Sequence, residues 1–187
     1  IELSDALSNA GIIQFLYEYD ETEGCPSLQD MIDVDKRIVL FSDNNIQDSP
    51  SWLHFLWDHA VETHFNNELI EDFSCDFNRG DEQNRLFILN HFITNYELVL
   101  TNIELYNAQV EEVNSNPYFI ERVYECLSEK DKFPNFITVD FYDVGNCLEV
   151  VNDLNELNTY SLKEFHYSNL IFPNPSNGMI YLNTSGL

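Results

Sequence analysis

Imidazole is the side chain best suited to moving a proton near neutral pH, so the histidines are the first candidates for chemistry. His54, His59 and His64 recur every five residues in a segment, 51–65, whose aromatic pattern predicts a helix. On a helix, a step of five turns each ring about 140° from the last, which leaves no shared face for a metal. These three are expected on a helix surface, and the nearby Asp58 and Glu62 add little. His91 differs because it closes an apolar run and so stands at a strand end. By chemistry alone it is a candidate general acid or base. Asp43 with Asn44, Asn90 with His91, and Asp140 with Tyr142 all close such runs. Polar groups at these places either cap the following turn or face a ligand. No calcium loop of the D-x-[DN]-x-[DN]-G type with a twelfth-position Glu occurs. Cys25, Cys75, Cys126 and Cys147 show neither C-x-x-C nor zinc spacing with histidine. No metal site is expected.

The elements that must hold these residues alternate along the chain. Apolar, β-branched runs predict strands at 13–19, 37–43, 86–92 and 136–142, the second with the strongest buried-strand signal. Helical spacing predicts helices over 3–12, stopped by Gly11, and over 26–32, 51–65, 97–114, 117–127 and 145–154. Residues 73–84 read as a polar loop. Four strands joined by connections too long for hairpins predict an α/β fold with a parallel sheet. Two architectures remain open on these grounds. One is half of an eight-stranded barrel; the other is a doubly wound sheet, although the glycine-rich phosphate turn after a first strand is missing.

Charge removes some functions. Eight basic residues against 33 acidic ones give a formal charge of −25, a field that repels nucleic acid and anionic head groups. No apolar stretch reaches the roughly 18 to 20 residues of a membrane span, so neither a nucleic-acid partner nor a membrane span is expected. At 44% apolar and 14% aromatic, the chain has ample material for a core. It begins at Ile1, inside a predicted helix, and reads as a fragment or processed product.

Five ordered motifs favour the barrel. They are Cys25-Pro26-Ser27-Leu28 with Met31-Ile32, Lys36-Arg37-Ile38-Val39-Leu40-Phe41-Ser42-Asp43, Phe73-Ser74-Cys75 with Arg79-Gly80, Leu89-Asn90-His91-Phe92, and Pro134-Asn135-Phe136-Ile137-Thr138-Val139-Asp140-Phe141-Tyr142. In this order and spacing, residues 1–155 resemble the later half of the phosphatidylinositol-specific phospholipase C-like phosphodiesterases. The resemblance implies the C-terminal half of a TIM-type (β/α)8 barrel. It also implies a phosphodiester or inositol-type substrate, attacked by a neighbouring hydroxyl with one histidine as general base and another as general acid. Both histidines are expected upstream of Ile1, so the fragment alone is expected to be inactive. By the same resemblance Asp140 orients the general-base histidine, while Asp43, Asn44, Asn90, His91 and Tyr142 face the head group. Some members of the wider superfamily use calcium at the phosphate and others an arginine; either group is expected outside this chain, so no cofactor is assigned to it. Cysteines at positions 75 and 126 also match the family, which implies a disulfide between them; whether Cys25 and Cys147 meet is left open.

Residues 169–187, with Leu170-Ile171-Phe172-Pro173-Asn174-Pro175 followed by Gly178-Met179-Ile180-Tyr181-Leu182, resemble the start of a type IX secretion C-terminal sorting domain. This is a truncated β-sandwich segment, here preceded by a linker over 156–168. That implies contact with secretion machinery and a secreted or cell-surface location, in keeping with a disulfide. The expected function is that of a fragment of a secreted phospholipase C-like phosphodiesterase. A non-catalytic secreted barrel that binds a ligand or glycan is the alternative, and a plain secreted interaction module the third.

Overall fold

A computed structural model describes residues 2–19 and 26–161, with side chains as far as residue 156. The described chain divides into two compact units, one from residues up to 54 together with 157–161, the other from residues 55–156.

In the first unit, helix α1 (Glu2–Asn9) ends short of the expected 3–12 and is closed at Gly11. Gly11, at φ 70°, takes the left-handed position. The amides of Gly11 and Ile12 donate back to the carbonyls of Ser8 and Leu7, a Schellman closure of the orphan carbonyls. The strand expected over 13–19 is instead a single 3₁₀ turn, Ile13–Phe15, followed by one parallel bridge from Leu16 to Ile38. Helix α2 (Leu28–Asp33) is capped reciprocally by Ser27 and Asp30, which satisfies two amides at its start. The run at 37–43 yields only β1 (Leu40–Ser42), half-buried and paired with β2 (Leu53–Phe55). Apolar content predicts burial only where both faces are covered, and here Val39 is 37% exposed.

The second unit holds a four-stranded sheet ordered β4-β3-β5-β6, from β3 (Ala60–Thr63), β4 (Phe77–Arg79), β5 (Leu86–Asn90) and β6 (Phe136–Thr138). Strands β3, β5 and β6 are parallel, and β4 runs antiparallel on the outer side of β3. The architecture is α/β with an open, mixed sheet. The expected row of four adjacent parallel strands is therefore corrected to three, and the described residues form no closed barrel.

Two segments account for the difference. The expected helix over 51–65 is β2, a 3₁₀ turn at Leu56–Asp58 and β3. All four residues of β3 are buried, so the strand lacks the alternation that separates half-buried strand from helix. The expected loop over 73–84 contains β4, a short charged edge strand of the kind that protects a sheet from further pairing. Gly80 closes it at φ 84°, where a Cβ would stand 1.9 Å from the carbonyl oxygen of Ala60. Only glycine lets the two backbones approach so closely.

Helices α3 (Tyr96–Thr101), α4 (Ile103–Val113) and α5 (Tyr118–Lys130) connect β5 to β6, and α6 (Cys147–Ser161) follows. Asn102 splits the helix expected over 97–114 by capping α4 with its own side chain. Helix α6 continues six residues into the stretch expected as a linker. One face of the sheet, with Val61, Phe87, Leu89 and Ile137, packs on Phe119, Val123 and Cys126 of α5 and Val150 and Leu154 of α6. The buried positions of α5, at 119, 122, 123 and 126, follow helical spacing. A disulfide joins Cys75 to Cys126 within this core, the pairing that the resemblance implied. Cys147 is a buried free thiol, and Cys25 lies outside the described residues, as do the sorting segment at 169–187 and residues 162–168.

Candidate functional site

Register fixes which side chains share a face. Glu62 pairs with Ile88 and with Arg79, Ile88 with Phe136, and Asn90 with Thr138. Partners in register project to the same side, so Glu62, Arg79, Asn90 and Thr138 lie on the face opposite the helices of this unit. They gather toward the C-terminal ends of the three parallel strands. The Asn90 amide nitrogen donates to Glu62 Oε2 at 3.0 Å and to the Thr63 carbonyl at 2.8 Å. Its oxygen accepts from Thr138 Oγ1 at 2.6 Å. Glu62, 4% exposed, accepts from Arg79 Nε through its other oxygen. The Arg79 guanidinium stands 4.2 Å from the Trp57 ring centroid and 4.7 Å from that of Phe65, so the cation is held by a carboxylate and two π faces. A four-strand polar network results, in which each group fixes the next.

His91, one residue beyond Asn90, lies on the other side. It is fully buried and stacked on Phe119 with centroids 4.1 Å apart and planes 7° from parallel. Arg122 approaches Nδ1 at 3.3 Å, and Nε2 is 2.8 Å from the Val113 carbonyl. An arginine only donates, so Nδ1 accepts and the Nε2–H donates to Val113. Burial first, and the Arg122 charge second, hold the imidazole pKa down at about 3. Arg122 is itself buried, donates to the Ser74 carbonyl at 3.1 Å and lies over Phe73. Burial pulls its pKa to about 10, which leaves it charged at neutral pH. Neither nitrogen of His91 remains for a head group in this arrangement.

Asp140 and Tyr142 lie in the loop between β6 and α6, both exposed, Tyr142 by 67%. Asp140 stands near the buried Tyr106, whose phenol donates to the Ile93 carbonyl at 3.2 Å. Burial, and then the Asp140 charge, push that phenol's pKa up. Asn90, His91, Asp140 and Tyr142 thus belong to the second unit. Asp43 and Asn44 belong to the first, exposed in the turn after β1, where Ser42 Oγ accepts the Asn44 amide at 3.1 Å. His54, His59 and His64 are not on a helix. His54 is buried in β2 with Nε2 3.0 Å from the Tyr17 carbonyl, and His64 is exposed just after β3.

Sequence reasoning passed over Glu62, Arg79, Thr138 and Asn114. Once 51–65 is read as helix, Glu62 becomes one more surface acid; the legible signal was Ala60-Val61-Glu62-Thr63 as a short strand with one charge inside it. Among the described residues no three His, Cys, Asp or Glu side chains are grouped to hold a metal ion. No helix among them is long and apolar enough to cross a membrane.

The family model described as PI-PLC X 1 matches residues 1–155, and the chain belongs to that family. A PI-PLC X domain-containing protein of Arabidopsis thaliana is 25% identical over 167 residues, an alignment that covers 82% of this chain and 37% of the plant protein. The chain spans little more than a third of that curated relative's length. No solved structure gives a significant match.

Proposed function

We propose that the chain is part of a secreted phosphodiesterase of the phospholipase C type, acting on an inositol-type phosphodiester by histidine general acid and base catalysis. The observation that carries this reading is the family match over residues 1–155. The polar cluster of Glu62, Asn90 and Thr138, with Asp140 in the loop that follows β6, supports it, because enzymes built on parallel barrels place their chemistry at the C-terminal ends of the strands. In this reading the described sheet is part of a (β/α)8 barrel. The two histidines come from elsewhere in the whole protein, since His91 has both ring nitrogens bonded within the core. Asp140 holds one of them in the productive tautomer and stabilises the imidazolium that forms as the attacking hydroxyl loses its proton. Asp43, Asn44 and Tyr142 supply contacts to the head group. The Cys75–Cys126 disulfide favours an oxidising compartment, and the resemblance at 169–187 favours export by type IX secretion machinery.

The test is phosphorus NMR of full-length protein incubated with phosphatidylinositol or phosphatidylcholine, each dispersed in micelles of an uncharged detergent. Appearance of an inositol phosphate or its cyclic ester, with phosphatidylcholine untouched, is the expected result. Folded protein that releases no phosphate ester from any inositol lipid overturns the reading. Saturable binding without turnover would establish the non-catalytic barrel in its place.

A further inference from the structure

The chain leaving β6 turns left-handed at Phe141, whose φ is 56°. A bulky aromatic residue takes that conformation only at a steric cost, so something must hold it there. Burial of the ring does not, because Phe141 is 49% exposed and meets Tyr106 only edge-on. The holding group is Asn114, the 1% exposed residue that ends α4. Its side-chain amide donates to the Asp140 carbonyl at 2.8 Å and to the Phe141 carbonyl at 3.3 Å. The far end of the same loop is tied to the same residue. The Asn146 amide donates to the Asn114 carbonyl at 2.7 Å. Gly145, at φ 77°, packs so close that a Cβ would lie 2.2 Å from that oxygen. Asn146 in turn accepts the Asn116 amide at 2.9 Å. Behind Asn114, the Val113 carbonyl is held by His91. A residue that served only to end α4 would spend its side chain on its own helix; this one reaches a segment 26 residues away.

We propose that Asn114 is a positioning residue for Asp140, clamping the loop 139–146 so that the carboxylate is presented in one orientation at the C-terminal end of β6. The proposal rests on the phosphodiesterase reading above. Asparagine suits the task because it offers two N–H donors to two carbonyls. An aspartate of the same size offers none and sets its charge against both.

The experiment uses full-length protein carrying Asn114→Asp, or Asn114→Ser if the first variant does not fold. Hydrogen exchange across 139–146, read by mass spectrometry, should quicken while β5 keeps its protection. On phosphatidylinositol in the same micelles kcat should fall about 10- to 100-fold, the scale of a misplaced catalytic group, with KM near wild type. If both act through the one carboxylate, the double variant with Asp140→Asn should fall to the kcat of Asp140→Asn alone and no lower. Phe141→Gly, which removes the steric cost of the left-handed turn, should restore part of kcat in the Asn114→Asp background. Unchanged exchange over 139–146 overturns the clamp, even if Asp140→Asn abolishes turnover. Losses that add independently, with exchange rising across all of 55–156 and no rescue by Phe141→Gly, reduce Asn114 to a structural role and overturn the positioning. Wild-type protein without turnover sinks the phosphodiesterase reading and with it the positioning role, and exchange alone then decides whether the clamp exists.

Discussion

Asn90 and His91 are neighbours in sequence and opposites in structure. Asn90 turns to the face where Glu62, Thr138 and Arg79 meet, and every bond it makes joins one strand to another. His91 turns to the helices and is sealed between Phe119 and Phe73, with Arg122 on one nitrogen and Val113 on the other. Both are buried, and both are satisfied. Only the first sits among strand-end polar groups on the face that the helices of its own unit leave alone; the second is a core residue that happens to be titratable. A side chain's reactivity in isolation therefore says little about its employment. What it touches, and on which side of the sheet, says more.

That contrast can be broken in several places. The largest effect is expected in the exposed loop that follows β6. Asp140→Asn in the full-length protein should lower kcat by about 10⁴, the scale of losing a tautomer-fixing carboxylate, and should leave thermal unfolding nearly unchanged. Wild-type kcat would make Asp140 a turn cap. The second effect belongs to the aromatic side and has the opposite character. His91→Phe keeps the stack on Phe119 and strands the Val113 carbonyl and an Arg122 N–H. It should cost about 3 kcal/mol of stability, read as a lower urea midpoint.

The third effect is a pH dependence. His91 binds its proton in the unfolded chain near pH 6.5, but in the folded state only near 3. Its contribution is fully present above pH 6.5 and declines as pH falls toward 3, by at most about 1.4 kcal/mol per pH unit. Urea titrations of wild type between pH 7 and 5 should show this slope, and His91→Phe should lose it. Equal slopes in the two proteins would mean that the imidazole is not kept neutral. The smallest effect returns to the polar face. Thr138→Val removes one hydroxyl from the Asn90 oxygen and should cost about 1 kcal/mol in the same assay. A loss as large as that of His91→Phe would erase the distinction between the two clusters.

The sequence made β5 and α5 legible because their patterns are unambiguous. Leu86–Asn90 is a compact apolar run, and α5 buries every third or fourth residue. It misled wherever burial depended on partners distant in the chain. The segment at 37–43 looked like the most buried strand and is half-exposed, whereas Ala60–Thr63 looked helical and is the most enclosed strand of the sheet. The polar positions were partly legible. Asn90 and Asp140 follow from their places at strand ends, and Cys75 and Cys126 from the family resemblance. Glu62 with Arg79 was not, because that pair exists only once β4 lies beside β3. Asn114 was hidden for a similar reason, since its partners come from the other side of β6.

The Cys75–Cys126 bond has a mechanical consequence. It closes a covalent ring that contains β4 and β5, while β3 and β6 lie outside it. Because the sheet is ordered β4-β3-β5-β6, ring and non-ring strands alternate, and β3 is threaded between two strands that cannot be drawn apart end to end. A molecule stretched by its termini would release β3 and β6 but withhold the 51-residue span between the cysteines, roughly 170 Å of contour, until a reductant cut the ring.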